Sequence, residues 1–135
     1  MKIVFDTNVL ISGFLTPTGP SQHVLGIALK RHVVVLSGYI LKEFERKLSG
    51  KLQMPREVIK QAIDYLRAKA AVFETVPNPK IKFSDIKDVP ILSLIRLSKA
   101  HYCITGDKKL LDLKRFDAAI FLTPREAMEL FDNIQ

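Results

Sequence analysis

Apolar residues recur along this chain in two rhythms. Some form short, mainly apolar runs: Lys2–Phe5, Val33–Leu36, Tyr102–Thr105 and Ala119–Leu122. Runs of this length are too short for helices, and continuity rather than alternation marks strands covered on both faces, most clearly in the β-branched Val33–Leu36. Elsewhere the apolar positions return at a period near 3.6. Pro20 and Ser21 open a helix carrying Val24, Leu25, Ala28 and Leu29 on one side. Ser37 is placed to cap a helix from Gly38 to about Leu48, with Ile40, Leu41, Phe44 and Leu48 inward. Pro55 suits the first position of a further helix with the stripe Ile59, Ala62, Ile63, Leu66 and Ala70. Val72–Val76 reads either as a short strand or as the exit from that helix.

Punctuation between these segments is clear. Thr16–Pro20 is a loop, and Pro77, Pro79 and their polar neighbours make another that runs up to Asp88. Ile91, Leu92, Ile95 and Leu97 predict a helix over Val89–Ala100 that is apolar on more than one side and therefore central. Gly106 turns the chain into a short helix, Lys108–Leu113. Thr123-Pro124-Arg125-Glu126 is a capping box with proline at the first helical position, so a last helix starts there. The predicted order is β-α-β-α-α-β-α-β-α. This is the pattern of an α/β fold: an open parallel β-sheet of four or five strands flanked by helices on both faces.

Composition agrees and trims the alternatives. At 135 residues and 47% apolar content the chain is the size of a single domain, 1–135, with enough apolar surface for a core. The longest apolar run is five residues, Ala118–Leu122, whereas a membrane helix needs about twenty. Asp6 is out of place in a secretory signal. The single cysteine, Cys103, allows no internal disulfide, so the expected compartment is a reducing cytoplasm. Cys103 lies in an apolar strand and is expected to be an inert buried thiol.

Charge adds a partner. Twenty-one Lys and Arg against fourteen Asp and Glu give +7, which makes nucleic acid the leading partner, although a small domain also carries such charge for solubility. The basic residues gather beside particular acids. Lys42, Arg46, Lys47, Lys51, Arg56 and Lys60 form a basic stretch beside Glu43, and Lys108, Lys109, Lys114 and Arg115 flank Asp107.

In a parallel sheet of this kind, ligands bind outside the carboxyl ends of the strands. Four acids fall there. Asp6 follows the first strand, Glu43 lies in the helix after the second, Asp88 opens the central helix, and Asp107 stands two residues past Thr105. Each has a mundane role available: Asp6, Asp88 and Asp107 as caps or turn residues, Glu43 as a helical partner of Arg46 or Lys47 worth about 0.2–0.5 kcal/mol. Capping alone does not explain four acids on one edge. Gathered carboxylates raise one another's pKa and become tolerable around a divalent cation, and oxygen-only ligands select Mg²⁺ or Mn²⁺. A basic protein with such a centre is suited to cutting a phosphodiester.

Ile3-Val4-Phe5-Asp6-Thr7-Asn8-Val9-Leu10 resembles the opening motif of the PIN-domain family. Ser37 to Glu43, Asp88-Val89-Pro90-Ile91-Leu92 and Thr105-Gly106-Asp107-Lys108-Lys109-Leu110-Leu111 resemble its second, third and fourth motifs. The ordered set spans nearly the whole chain and looks most like the ribonuclease toxins of prokaryotic toxin–antitoxin pairs. The resemblance implies a metal-dependent endoribonuclease in which Asp6, Glu43, Asp88 and Asp107 are catalytic and hold one or two Mg²⁺ or Mn²⁺ ions. The implied products carry a 5′-phosphate and a 3′-hydroxyl. It implies that Thr7, Asn8 and Thr105 orient ligands or touch phosphate, and that RNA, an antitoxin protein and a second copy of the chain are partners. Lys42, Arg46 and Lys108 join the expected substrate-binding set. Exposed apolar residues on the Pro55–Ala71 segment would serve an antitoxin or a dimer.

Two positions depart from the pattern. Lys87 stands where members of the group often carry an aspartate, and Pro90 follows Val89 early in the helix, where proline is tolerated. Asp85 and Asp88 are then alternatives for the third ligand, and Asp88 is favoured. Tyr39 is the best exposed aromatic for stacking. His23, His32 and His101 lie on separate elements and read as surface residues. An aspartyl-phosphate phosphatase needs a second Asp where Asn8 stands, and a receiver-like switch needs an N-terminal acid cluster that is lacking. The remaining alternative is a catalytically silent RNA-binding module of the same fold.

Overall fold

The computed structural model describes residues 1–74 and 78–133. Its elements, in chain order, are β1 (Lys2–Phe5), α1 (Thr7–Leu15), α2 (Pro20–Arg31), β2 (Val33–Ser37), α3 (Gly38–Ser49), α4 (Arg56–Lys69), β3 (Ala71–Phe73), a 3₁₀ turn (Ile86–Asp88), α5 (Val89–Ser98), β4 (Tyr102–Ile104), α6 (Lys108–Leu113), β5 (Arg115–Phe116), β6 (Ala119–Leu122) and α7 (Pro124–Asn133). The strands form one sheet of order β3-β2-β1-β4-β6-β5, parallel except for the β5–β6 pair.

Ile3, Val4 and Phe5 of β1 are all fully buried. Successive strand side chains point to opposite faces, so helices must cover both sides of the sheet here. The same holds for Val34, Val35 and Leu36 of β2, while Val33 at the entry of that run is exposed. Of the ten residues of α5, eight are buried, as its all-round apolar pattern requires.

Caps fall where the sequence places them. The Ile40 N–H donates to Ser37 Oγ (3.1 Å) at the start of α3. At α7 the Glu126 N–H donates to Thr123 Oγ1 (3.1 Å) and the Thr123 N–H to Glu126 Oε1 (2.9 Å), both halves of the capping box.

Three elements differ from the sequence pattern. Helix α1 occupies Thr7–Leu15, a segment the periodicity left unassigned. It begins at once after β1, so its apolar residues Val9, Leu10, Ile11 and Phe14 merge with the strand's run and hide the change of period. The antiparallel β5 adds a sixth strand, two residues long and too short to show any period. Asp117, at φ 51°, turns it back into β6. Pro55 caps α4 from outside rather than occupying its first position. The short-strand alternative for Val72–Val76 is realised as Ala71–Phe73; Glu74 lies beyond the strand, and Thr75 and Val76, with Pro77, lie outside the described residues.

From β1 the chain winds outward through β2 to β3, then returns to place β4 on the other side of β1. The strand order therefore reverses between β1 and β4. At such a switch point the loops leave in opposite directions and open a crevice at the carboxyl edge.

Candidate functional site

Asp6 and Thr105 leave β1 and β4 at that crevice, side by side. The Asp6 N–H continues the ladder to the Ile104 carbonyl (3.0 Å), and the Thr105 N–H bonds the Leu122 carbonyl (2.9 Å). Thr105 is fully buried. Its Oγ1 donates to Asp6 Oδ2 (2.7 Å) and accepts from the Asp107 N–H (3.0 Å). Asp6 Oδ1 accepts from the Thr7 N–H (2.7 Å), and Asp107 Oδ1 accepts from the Lys109 N–H (2.9 Å) at the start of α6. One hydroxyl thus fixes two acids from strands far apart in sequence.

A cleft of about 390 Å³ opens above them, lined by Asp6, Asn8, Tyr39, Glu43, Lys47, Asp85, Lys87, Asp88, Ile91, Gly106 and Asp107. All four expected acids meet there. Glu43 arrives from α3, where Arg46 lies 3.9 Å from it. Asp88 ends the 3₁₀ turn and makes no side-chain capping bond to α5, so the mundane role as a cap does not account for it. It is buried, at 7% exposure, and its Oδ2 has no hydrogen-bond partner. Asp85 accepts the Lys87 N–H at Oδ1 (3.0 Å) and pairs with Lys109 Nζ at 3.5 Å. Asp85, Asp88 and Asp107 each bring one oxygen within 4.8 Å of the others, the tightest acidic group among the described residues.

The electrostatics follow from this crowding. Burial, the neighbouring Asp107 carboxyl and the charges of Asp107, Asp85 and Asp6 push Asp88 up to about 7. Burial raises Asp6 as well, opposed by its bonds from Thr105 and Thr7 and assisted by Glu43 and Asp107. Asp85 is held below its usual value, first by the Lys87 N–H and then by Lys109. Burial, and then Glu43, raise the Tyr39 phenol above its usual value.

These residues fit a divalent cation. The donors are all oxygens, as hard ions require, and an ionised, buried carboxylate oxygen without a partner is costly unless a cation meets it. Asp85, Asp88 and Asp107 bring oxygens close enough together to share such a cation, and Asp6 and Glu43 line the same cleft.

The expected substrate contacts divide. Asn8 lines the cleft and accepts from Lys47 Nζ at 2.8 Å. Thr7 is buried at 1% exposure with an unpartnered hydroxyl, and Thr105 is committed to Asp6 and Asp107. Lys42 and Arg46 are exposed on α3 outside the lining, and Lys108 pairs with Asp112 at 3.1 Å. The lysines that do line the cleft are Lys47 and Lys87. Lys47 had a sequence signal that adjacency obscured: Tyr39, Glu43 and Lys47 are spaced four apart, so they share one face of α3, whereas Lys42 is a quarter-turn away. The histidines stay apart from the cleft, His23 on Asp132, His32 near the N-terminal amine and His101 accepting the Lys2 N–H. Burial raises the Cys103 thiol well above its ordinary value, as expected of an inert core cysteine. No helix among the described residues is long and apolar enough to cross a membrane.

Comparison with known proteins supports the pattern. Residues 2–109 match the PIN domain family model. An uncharacterized protein of Methanocaldococcus jannaschii is 31% identical over 146 aligned residues, covering 98% of this chain and 93% of the relative. A chain in the crystal structure of VapBC2 from Rickettsia felis bound to a DNA fragment from their promoter superposes with a TM-score of 0.64 at 15% identity, over 91% of this chain and 98% of that one, which is a likeness of fold. PIN domains are generally nucleases, and the acid-lined cleft lies at the edge where that chemistry belongs. By its ordered motifs, its sheet and a family match over most of its length, the chain belongs to the PIN-domain family.

Proposed function

We propose that this protein is a metal-dependent endoribonuclease, acting in the cytoplasm as the toxin of a toxin–antitoxin pair. One observation carries the nuclease reading: Asp6, Glu43, Asp88 and Asp107 converge from four elements on one cleft, and Asp88 is buried there with a free oxygen. A Mg²⁺ or Mn²⁺ ion held by these acids supplies two things when bound, easier deprotonation of an attacking water and relief of charge on the scissile phosphate. The protein supplies position. Thr105 orients the Asp6 carboxylate and ties down the Asp107 backbone, and the Lys109 N–H orients the Asp107 carboxylate, so the ligands need little rearrangement on loading. Lys47 and Lys87 flank the acids and suit the phosphates on either side of the cut, and Tyr39 offers a base a stacking face.

An antitoxin and a second copy of the chain are the proposed protein partners. Exposed Val58 and Tyr65 on α4, with Leu52 before it, offer apolar surface to either, and the VapBC2 likeness favours the antitoxin. The test is cleavage of a mixed RNA pool by wild type and Asp6→Asn, with Mn²⁺ or Mg²⁺ and then with EDTA. Cutting is expected to need both the metal and Asp6, with a loss of at least 100-fold in the variant. RNA binding without metal-dependent cutting would move the assignment to the silent RNA-binding module. Growth arrest on expression, relieved by a protein encoded beside it, tests the toxin role.

A further inference from the structure

We infer that Asp85 is a ligand of the divalent cation, forming with Asp88 and Asp107 a three-carboxylate seat, and that Lys109 competes with the cation for Asp85. This rests on the metal-nuclease reading above and deepens it. The 3₁₀ turn is the structural cause. Residues three apart eclipse one another in a 3₁₀ helix, and the Asp88 N–H bonds the Asp85 carbonyl at 3.1 Å, so both side chains leave the same side of the turn. Their carboxylates then meet Asp107, all three within 4.8 Å.

The buried Asp88 Oδ2, which has no partner, points to what the group is for. At 7% exposure among acids, this oxygen carries charge at a cost that a cation would relieve, and the ammonium of Lys109 sits instead on Asp85 at 3.5 Å. Asp6 is differently placed, with each carboxylate oxygen already accepting one hydrogen bond of 2.7 Å. The seat therefore leans towards the 3₁₀ turn, and Asp85 supplies the acid that Lys87, one position before Asp88, does not.

Mn²⁺ binding, measured by calorimetry and by loss of the free-ion EPR signal, tests this without RNA. Asp85→Asn keeps an oxygen acceptor for the Lys87 N–H, and Asp85→Ser keeps a hydroxyl, so the turn survives in at least one variant; thermal melts check each. The expected result is a Mn²⁺ Kd weakened about tenfold or more in both variants. Lys109→Met should tighten binding severalfold in wild type and change little in the Asp85→Asn background. Folded Asp85 variants that bind Mn²⁺ within twofold of wild type overturn the inference alone. Wild type that binds no Mn²⁺ overturns the metal-nuclease reading with it.

Discussion

Thr105 shows what a single residue does here. Its hydroxyl is the only link between Asp6 Oδ2 and the Asp107 N–H in the hydrogen-bond pattern described, and its burial keeps water from substituting. Thr105→Val should lower kcat about 10–100-fold with little change in KM for RNA, while Thr105→Ser should retain most activity. Steady-state kinetics on one RNA separate the two parameters. Asp88 gives a second test, with a definite sign. Its folded value is raised from 3.8 to about 7, so between those limits the folded state binds more protons than the unfolded. Stability of the metal-free protein therefore falls as pH rises from about 4 to 7, and Asp6 contributes in the same direction. Asp88→Asn removes the penalty and should gain about 1 kcal/mol at pH 8, or roughly 3–6 °C in Tm, in EDTA. Thermal melts at pH 5 and pH 8 should show the larger gain at the higher pH, because the penalty builds between about pH 4 and 7. At this scale the sequence was informative wherever an acid abuts a regular element. Asp6, Asp88 and Asp107 each stand at an element boundary that the apolar runs define. Asp85 carried no such signal, because a 3₁₀ turn of three residues has no period to read.

Elements were legible in proportion to their amphipathicity and their caps. Helix α7 announces itself by Thr123 and Glu126, and the structure contains both reciprocal bonds. Thr123→Ala should cost about 1 kcal/mol, read from chemical denaturation, with no change in cation binding because α7 lies away from the cleft. Helix α1 was illegible for the opposite reasons. It has no polar stretch separating it from β1, and Ser12 and Gly13 weaken helix propensity in its middle. Gly13 suits the close approach of α1 to α2, since a Cβ there would meet Leu25 Cδ2 at 2.7 Å and oblige that side chain to shift. Packing overrode propensity. The β5–β6 hairpin is likewise secured from outside its own sequence: Arg96 of α5 bonds both oxygens of Asp117 (3.1 and 3.2 Å) and lies over the Phe116 ring at 5.0 Å.

Taken whole, the molecule sets a net charge of +7 against a cleft holding five carboxylates. Lys47 and Lys87 stand beside those acids, so on the proposed reading they are the groups that meet an incoming polyanion. RNA binding should weaken steeply with salt. Lys47→Ala and Lys87→Ala should each lower the slope of log K against log salt by about 1, measured by fluorescence anisotropy with a non-cleavable RNA. Changing Lys108, whose ammonium pairs with Asp112, should matter less. Charge and fold class were both readable from composition and pattern. Which lysines face the cleft was not, because that depends on helix phase and on side-chain pairing rather than on nearness in sequence.

The sheet order also has a bearing on synthesis. The central strand β1 emerges from the ribosome ahead of the other five strands, yet its neighbour β4 comes almost a hundred residues later, and with it the hydroxyl that links Asp6 to Asp107. Until β4 docks, one edge of β1 is open and the acids of the two strands are unconnected. A nascent chain therefore carries no assembled cleft while most of it is being translated; on the proposed ribonuclease reading, activity would arise only after most of the message has been read.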